Sequence, residues 1–300
     1  MFDLDRWREI FESIRSNILR TVLSGFTVAL GLFIFIVLFG IGTGLKNAFT
    51  EGFTRDAANL ITIFTGKTSI AYGGLQSDRQ IVLKNDDYEQ VKESEPSKLE
   101  NSTARYSTNM TVKYGKESGS YQISGANPEE KIIENRNLTE GRYLNAMDME
   151  RKQNVAVIGR MVQKKLKKNG SPIGKELDIN GSFFKVVGVF SDDGGDWDER
   201  MITVPITTLQ QMKKGSDTVS TIFITYDSKM SPDEAIKYGD QLQKELKAKN
   251  KVSPDDENGI IVRNNAKNMG DTIQFLFIIT LIVGFIGMGT LLAGIIGISN

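Results

Sequence analysis

Neither histidine nor cysteine occurs in the 300 residues. A Ser-His-Asp triad, a thiolate nucleophile, a Cys metal site and a disulfide are therefore excluded, and the commonest general base is missing. Carboxylates remain. The densest group is "SDDGGDWDER", with Asp192, Asp193, Asp196, Asp198 and Glu199. An EF-hand calcium loop needs oxygen ligands at positions 1, 3 and 5 and Gly at 6. Counted from Asp192, position 3 is Gly194 and position 6 is Trp197, so the pattern fails. The stretch is expected to be a solvated loop, with Trp197 as an aromatic for contact with an extracytoplasmic partner.

A second motif is "NVAVIGRMVQKKLKKNG". Val155 to Ile158 predict a buried strand, Gly159 a turn, and Met161, Val162 and Leu166 a helix. Strand, Gly, helix is an order that can hold a phosphate. One Gly is not G-x-G-x-x-G, however, and nothing matches G-x-x-x-x-G-K-[ST]. No catalytic, cofactor-binding or metal-binding residue is expected, and no ATPase activity in this chain. Lys plus Arg equals Asp plus Glu at 37, so no basic excess points to nucleic acid.

The apolar residues are concentrated in two places. Thr21–Leu45 is 25 residues without a charge, bounded by Arg20 and Lys46. Thr272–Asn300 is 29 more. About 20 helical residues cross a bilayer core, so both runs predict transmembrane helices. The first lacks the short apolar core and A-x-A site of a signal peptide. Gly289, Ala293 and Gly297 recur every four positions, which puts small residues on one helix face and predicts close helix packing. Gly25 and Ala29, then Gly40 and Gly44, repeat that spacing in the first run.

Four Arg and four acidic residues precede Thr21, which leaves 33 charges of each sign in 46–271. With mean hydropathy of -0.23, this body is expected to be water-soluble and on one side of the membrane. Arg6, Arg8, Arg15 and Arg20 place the N-terminus in the cytoplasm by the positive-inside rule. The body is then extracytoplasmic, which in a two-membrane bacterium means periplasmic. Residues 1–20 pattern as an amphipathic interfacial helix, with Trp7 and Phe11 on its apolar side and Arg15 beside them.

Within the body the spacing predicts mixed strand and helix, hence α+β, in one lobe or two. Strands are expected at Ala58–Gly66, at Phe184–Phe190, around Met201–Pro205 with Pro205 at an edge or end, at Ser220–Tyr226 and at Ile260–Asn265. A helix over Asp86–Ser94 is expected to be capped by Asn85 or Asp86. A hairpin has Met110, Val112 and Tyr114 on one face and its turn at Glu117–Gly119. "NLTEGRYLN" reads as a loop, and "NG" at 180–181 as a tight hairpin turn. Ser231, Pro232 and Glu234 start a helix with a capping box, its apolar side Ala235, Ile236, Leu242 and Leu246.

Several segments in order resemble the permease subunit of MacB-type ATP-binding-cassette systems, within the wider FtsX-like permease family. They are "SNILRTVLSGFTVALGL" (16–32), "EGRYLNAMD" (140–148), "VAVIGRMVQKKL" (155–166), "PIGKELDINGSFFKVVGVF" (172–190) and "LLAGIIGISN" (291–300). The resemblance implies four membrane helices, so the chain is expected to continue past residue 300 with a cytoplasmic coupling segment and two more. It implies a stand-alone permease that pairs with a separate ABC ATPase subunit and with a second permease, as homodimer or heterodimer. Periplasmic or outer-membrane components are further implied partners, besides the lipid bilayer. Trp7, Phe11 and Arg15 would lie near the ATPase, and Arg263 to Asp271 would carry the signal into helix two. The implied function is mechanical: cytoplasmic ATP hydrolysis moves an inner-membrane protein's periplasmic domain, in efflux or export. Lipoprotein release and activation of cell-wall hydrolases are the alternatives within the family. A two-helix membrane-anchored sensor or binding module is the alternative outside it.

Overall fold

The computed structural model describes residues 18–53, 59–115, 117–166, 170–192, 196 and 198–299. Trp7, Phe11, Arg15 and Trp197 lie outside the described residues. The chain divides into a unit holding the two long helices and a second unit, Phe53–Asn268.

Helix α1 (Ile18–Phe53) and the last helix, α8 (Asn265–Ser299), each carry a stretch long and apolar enough to cross a bilayer. Within their unit they touch in reversed order. A Cβ on Gly31 would lie 2.7 Å from Thr290 Oγ1, and one on Gly287 would lie 2.6 Å from the Phe35 ring. Residue 31 thus meets 290 and residue 35 meets 287, so the pair runs antiparallel. Only glycine admits that approach.

The second unit contains strands β1 (Leu60–Thr65), β2 (Leu83–Lys84), β3 (Leu99–Tyr114), β4 (Glu117–Ala126), β5 (Asn137–Gly141) and β6 (Val155–Gly159). Strands β7 (Glu176–Ile179), β8 (Ser182–Ser191), β9 (Met201–Pro205), β10 (Thr218–Val219), β11 (Thr221–Tyr226) and β12 (Ile260–Asn264) follow. The helices between them are α2 (Asn85–Ser94), α3 (Glu130–Ile133), α4 (Ala146–Glu150), α5 (Arg160–Leu166), α6 (Ile206–Met212) and α7 (Pro232–Lys249).

The main sheet runs β12-β1-β11-β3-β4-β9-β6-β8-β5, and β7 joins β8 back to β3. That last pairing closes six strands, β3-β4-β9-β6-β8-β7, into a barrel. Its interior holds Val112, Ile123, Ile158, Phe184, Val186 and Ile202, all buried. The remaining strands, β12-β1-β11, extend from the first half of β3 as an open sheet. Helices α2 and α7 cover one face of it with a second core that includes Ile61, Ile63, Ile224, Tyr238 and Leu242. The 16-residue β3 is therefore shared: Ala104 packs in the open lobe and Met110 in the barrel.

On the opposite face of the sheet, where β3 passes from one lobe to the other, the contact is ionic. Glu130 and Arg136 are fully buried side chains whose Oε2 and Nη1 lie 3.2 Å apart. Arg105 Nε donates to Glu130 Oε1 at 2.7 Å, and Tyr143 donates to Oε2 at 2.8 Å. Arg136 also donates to Thr203 Oγ1 on β9 at 2.9 Å. Glu134 lies 3.1 Å from Arg105, so two cations meet two anions. Burial pushes the Glu130 carboxyl up, but Arg136, Arg105 and the Tyr143 hydroxyl outweigh it and hold it below the usual range. The guanidinium of Arg105 stacks 4.4 Å over Phe223, and that of Arg136 4.5 Å over Phe190. The planar cations thus fill apolar space as well as pairing charge.

Four expectations are corrected. The α2 cap is Lys84, whose N–H is held by the Asp87 carboxylate at 2.9 Å, rather than Asn85 or Asp86. The hairpin turns at Gly115, with φ of +59°; Glu117–Gly119 already pair with β3. "NLTEG" is strand β5, because β8 offers it a ladder that its polar composition does not announce. Glu199 is fully buried rather than solvated, with Arg160 Nε at 2.9 Å. Its backbone occupies the space a Cβ on Gly159 would need, which accounts for that glycine without a phosphate. Other readings hold. Asn180 and Gly181 take the positive φ of a tight turn, Pro205 ends β9, and Ser231 and Glu234 form the capping box.

Arg136→Met leaves Glu130 buried with half its compensation. It should lower stability by about 3–5 kcal/mol, the cost of removing one partner of a buried pair. Adding Glu130→Gln should recover part of the loss, read as the denaturant midpoint of the chain in detergent.

Candidate functional site: the strand-to-helix junction

β12 is the outer strand of the open sheet, and the residue after it opens α8. No loop separates the two. The first four residues of α8, Asn265–Asn268, belong to the same unit as the sheet. A helix starting here must satisfy its orphan N–H groups, and Asn264 supplies the first acceptor. Its Oδ1 accepts from Ala266 N–H at 3.0 Å, the geometry of an N-cap. Its Nδ2 donates to the Ala235 carbonyl in α7 at 2.7 Å. One buried amide thus joins the end of a strand, the start of a long helix and a neighbouring helix.

α7 grips β12 a second time. Gln243 Nε2 donates to the Ile260 carbonyl at 2.9 Å. Between the two bonds, Gly239 lets the helix lie close: a Cβ there would sit 3.0 Å from Asn264 Nδ2 and 3.7 Å from both Ile61 Cδ1 and Val262 Cγ1. On the other side β12 pairs antiparallel with β1, with Asn264 opposite Ile61 and Arg263 opposite Thr62. Arg263 stacks 4.8 Å over Phe64, and Ala266 is buried in the open-lobe core. The strand entering α8 is therefore held along one edge by β1 and at two points by side-chain bonds with α7.

Arg263 to Asp271, the stretch expected to carry a signal, includes this junction, and Asn264 is the residue composition alone did not single out. Its signal was present: two Asn between an apolar strand and an apolar helix are a helix-start mark. Gly289 has no atom within 4 Å of the place its Cβ would take. Ala293 and Gly297 continue α8. Gly31 and Gly287 do meet the facing helix, and neither has a Gly or Ala four positions away to mark it.

Asn264→Ala removes both bonds and leaves the Ala266 N–H buried. The cost should be about 1–3 kcal/mol, confined to the junction. Hydrogen exchange at Arg263, whose N–H faces β1, and at Ala266 should accelerate roughly tenfold or more, while β6 in the barrel stays protected. Asn264→Asp keeps the cap acceptor and should fall between.

A family model described as the MacB-like periplasmic core domain matches residues 21–241. The macrolide export ATP-binding/permease protein MacB of Wolinella succinogenes is 26% identical over 300 residues, covering 97% of this chain and 44% of that protein. The pyoverdine export ATP-binding/permease protein PvdT of Pseudomonas aeruginosa is 25% identical over 308 residues, covering 98% and 44%. The chain thus spans less than half the length of these curated relatives. The crystal structure of the periplasmic region of MacB from Actinobacillus actinomycetemcomitans shares the fold, with a TM-score of 0.61 at 22% identity, covering 75% of this chain and 96% of that one. The extracellular domain of the transporter YknZ from Gram-positive bacteria does so at a TM-score of 0.55 and 18% identity, covering 69% and 100%. The chain belongs to the family of the MacB-like periplasmic core domain.

Proposed function

We propose that this chain is part of an ABC-transporter permease that converts cytoplasmic ATP hydrolysis into movement of a periplasmic domain. Helices α1 and α8 cross the inner membrane, and the β-rich unit lies in the periplasm. ATP is bound by a separate ATPase subunit, and a second permease completes the assembly. Displacement of α8 reaches the sheet through β12, passes along β1 and β11 to β3, and arrives at the barrel. The substrate is handled on the periplasmic side, in export.

The observation that carries this proposal is the junction itself. A long apolar helix follows an edge strand without a loop, and Asn264 and Gln243 fasten that strand to α7. A binding module that only needed anchoring would tolerate a flexible linker. The antiparallel order of α1 and α8 contacts agrees with both ends of the body facing one side of a bilayer. In this reading the small residues Gly289, Ala293 and Gly297 pack against a further membrane helix, and Trp7, Phe11 and Arg15 lie on the ATPase side.

The purified full-length permease should hydrolyse no ATP alone. In lipid with its cognate ATPase it should change that enzyme's turnover, and Asn264→Ala should reduce the response without weakening assembly. Protease added to spheroplasts should cut within 59–268. A protected body, or an ATPase indifferent to the permease, would favour the anchor or sensor alternative.

A further inference from the structure

Two Asn-Gly pairs fall wholly within the described residues, Asn180–Gly181 and Asn258–Gly259. Asn is a thermolabile residue, and a following glycine makes it more so, because no side chain hinders attack by the glycine nitrogen. That nitrogen loses its proton and bonds to the Asn Cγ. The Cγ–Nδ2 bond breaks, and ammonia leaves. Water then opens the resulting succinimide at either carbonyl, which gives aspartate or isoaspartate. The reaction consumes one water and releases one ammonia, and it needs a glycine N–H free to ionise.

Both pairs follow an Asp at the same distance: Asp178-Ile179-Asn180-Gly181 and Asp256-Glu257-Asn258-Gly259. In both, the Asp Oδ1 accepts the N–H of the glycine, at 2.6 Å from Gly181 and 2.9 Å from Gly259. A carboxylate in that place opposes ionisation, since the amide anion would form against a negative charge. The surroundings differ. Gly259 is buried, and Asp256 also binds the N–H groups of Ser69, Ile70 and Asn258. Asn180 and Gly181 are exposed, in a turn with φ of +52° and +89°. Water reaches this dipeptide, and the Asp178 bond restrains its nucleophile.

The exposed pair sits on the seam that closes the barrel. β7 meets β3 at Ile179–Val112 and Asp178–Lys113, and Asn180 N–H donates to the Thr111 carbonyl at 2.9 Å. Isoaspartate puts one extra carbon into the main chain, which shifts the residues on either side out of register. We propose that Asn180 is a site of spontaneous deamidation and that the Asp178 carboxylate guards it by binding the Gly181 N–H. Loss of the guard exposes the barrel seam to chemical opening.

The test incubates the full chain in lipid nanodiscs in mildly alkaline buffer and counts isoaspartate at 180 and 258 by peptide mass spectrometry. The reference is the same chain digested first, so that each Asn-Gly pair sits in a free peptide. Hydrogen exchange at residue 180 reports the seam. In the folded, unaltered chain both positions should convert far more slowly than in the digest. Asp178→Ala should raise the rate at 180 roughly tenfold or more, as expected for loss of a hydrogen bond to a charged group, and leave 258 unchanged. Asp178→Asn keeps an acceptor without the charge and should fall between. Its converted fraction should lose exchange protection at residue 180, and its unconverted fraction should keep it. Conversion of Asn180 in the folded chain as fast as in the digest would overturn the proposal. So would Asp178→Asn converting no faster than the unaltered chain. If Asp178→Ala loses protection at residue 180 before it converts, a loosened turn accounts for its rate, and Asp178→Asn decides.

Discussion

Strand β3 belongs to two structures at once, and the rest of the body depends on that. Its first half pairs with β11 in the open sheet, and its second half pairs with β4 and β7 in the barrel. A continuous hydrogen-bond ladder resists bending within its plane. The lobes could still twist about such a strand, and the ion cluster at its midpoint opposes this. Arg105 leaves β3 itself, Thr203 belongs to β9, Glu130 opens α3 and Arg136 follows it. With both lobes' aromatic rings under the guanidinium planes, rotation would break charge pairing and stacking together.

That stiffness gives the junction at Asn264 its meaning. A strand that leads directly into a helix passes on displacement only if it is fixed to something that does not yield. β12 is fixed along one edge by five paired positions with β1, and at two points to α7, by the Gln243 side chain and by its own Asn264 side chain. Both chain connections to the apolar helices thus run side by side in one ladder, with Asn264 opposite Ile61.

Much of this was legible from local rules. The uncharged runs, the Asn-Gly turn, the Ser-Pro-x-Glu helix start and the Val155–Gly159 strand each carry their signal within a few residues. What stayed hidden depends on residues far apart in the chain. β5 is a strand only because β8 lies beside it. Glu199 looked solvated among acidic neighbours, and its burial is explained by Arg160, 39 positions away. Barrel closure rests on two pairings between β3 and β7, which no periodicity encodes. At Gly31 and Gly287 the sequence shows small residues in an apolar run, but the partner helix decides which glycine is used.

The proposed function requires the β-rich body to move as one piece when nucleotide binds the assembled transporter. These 300 residues hold no cysteine, so cysteines introduced among them are the only thiols in this part of the assembly. Lys229 follows β11 in the open lobe, and Lys113 lies in the barrel part of β3. The most direct measurement is a pair of spin-label distances in the assembled transporter: Lys229→Cys to Lys113→Cys within one chain, and Lys229→Cys to its counterpart in the second permease. The account predicts that ATP changes the distance between chains and leaves the distance within the chain unaltered. A constant distance between chains, or lobes that separate while the junction stays still, would contradict it.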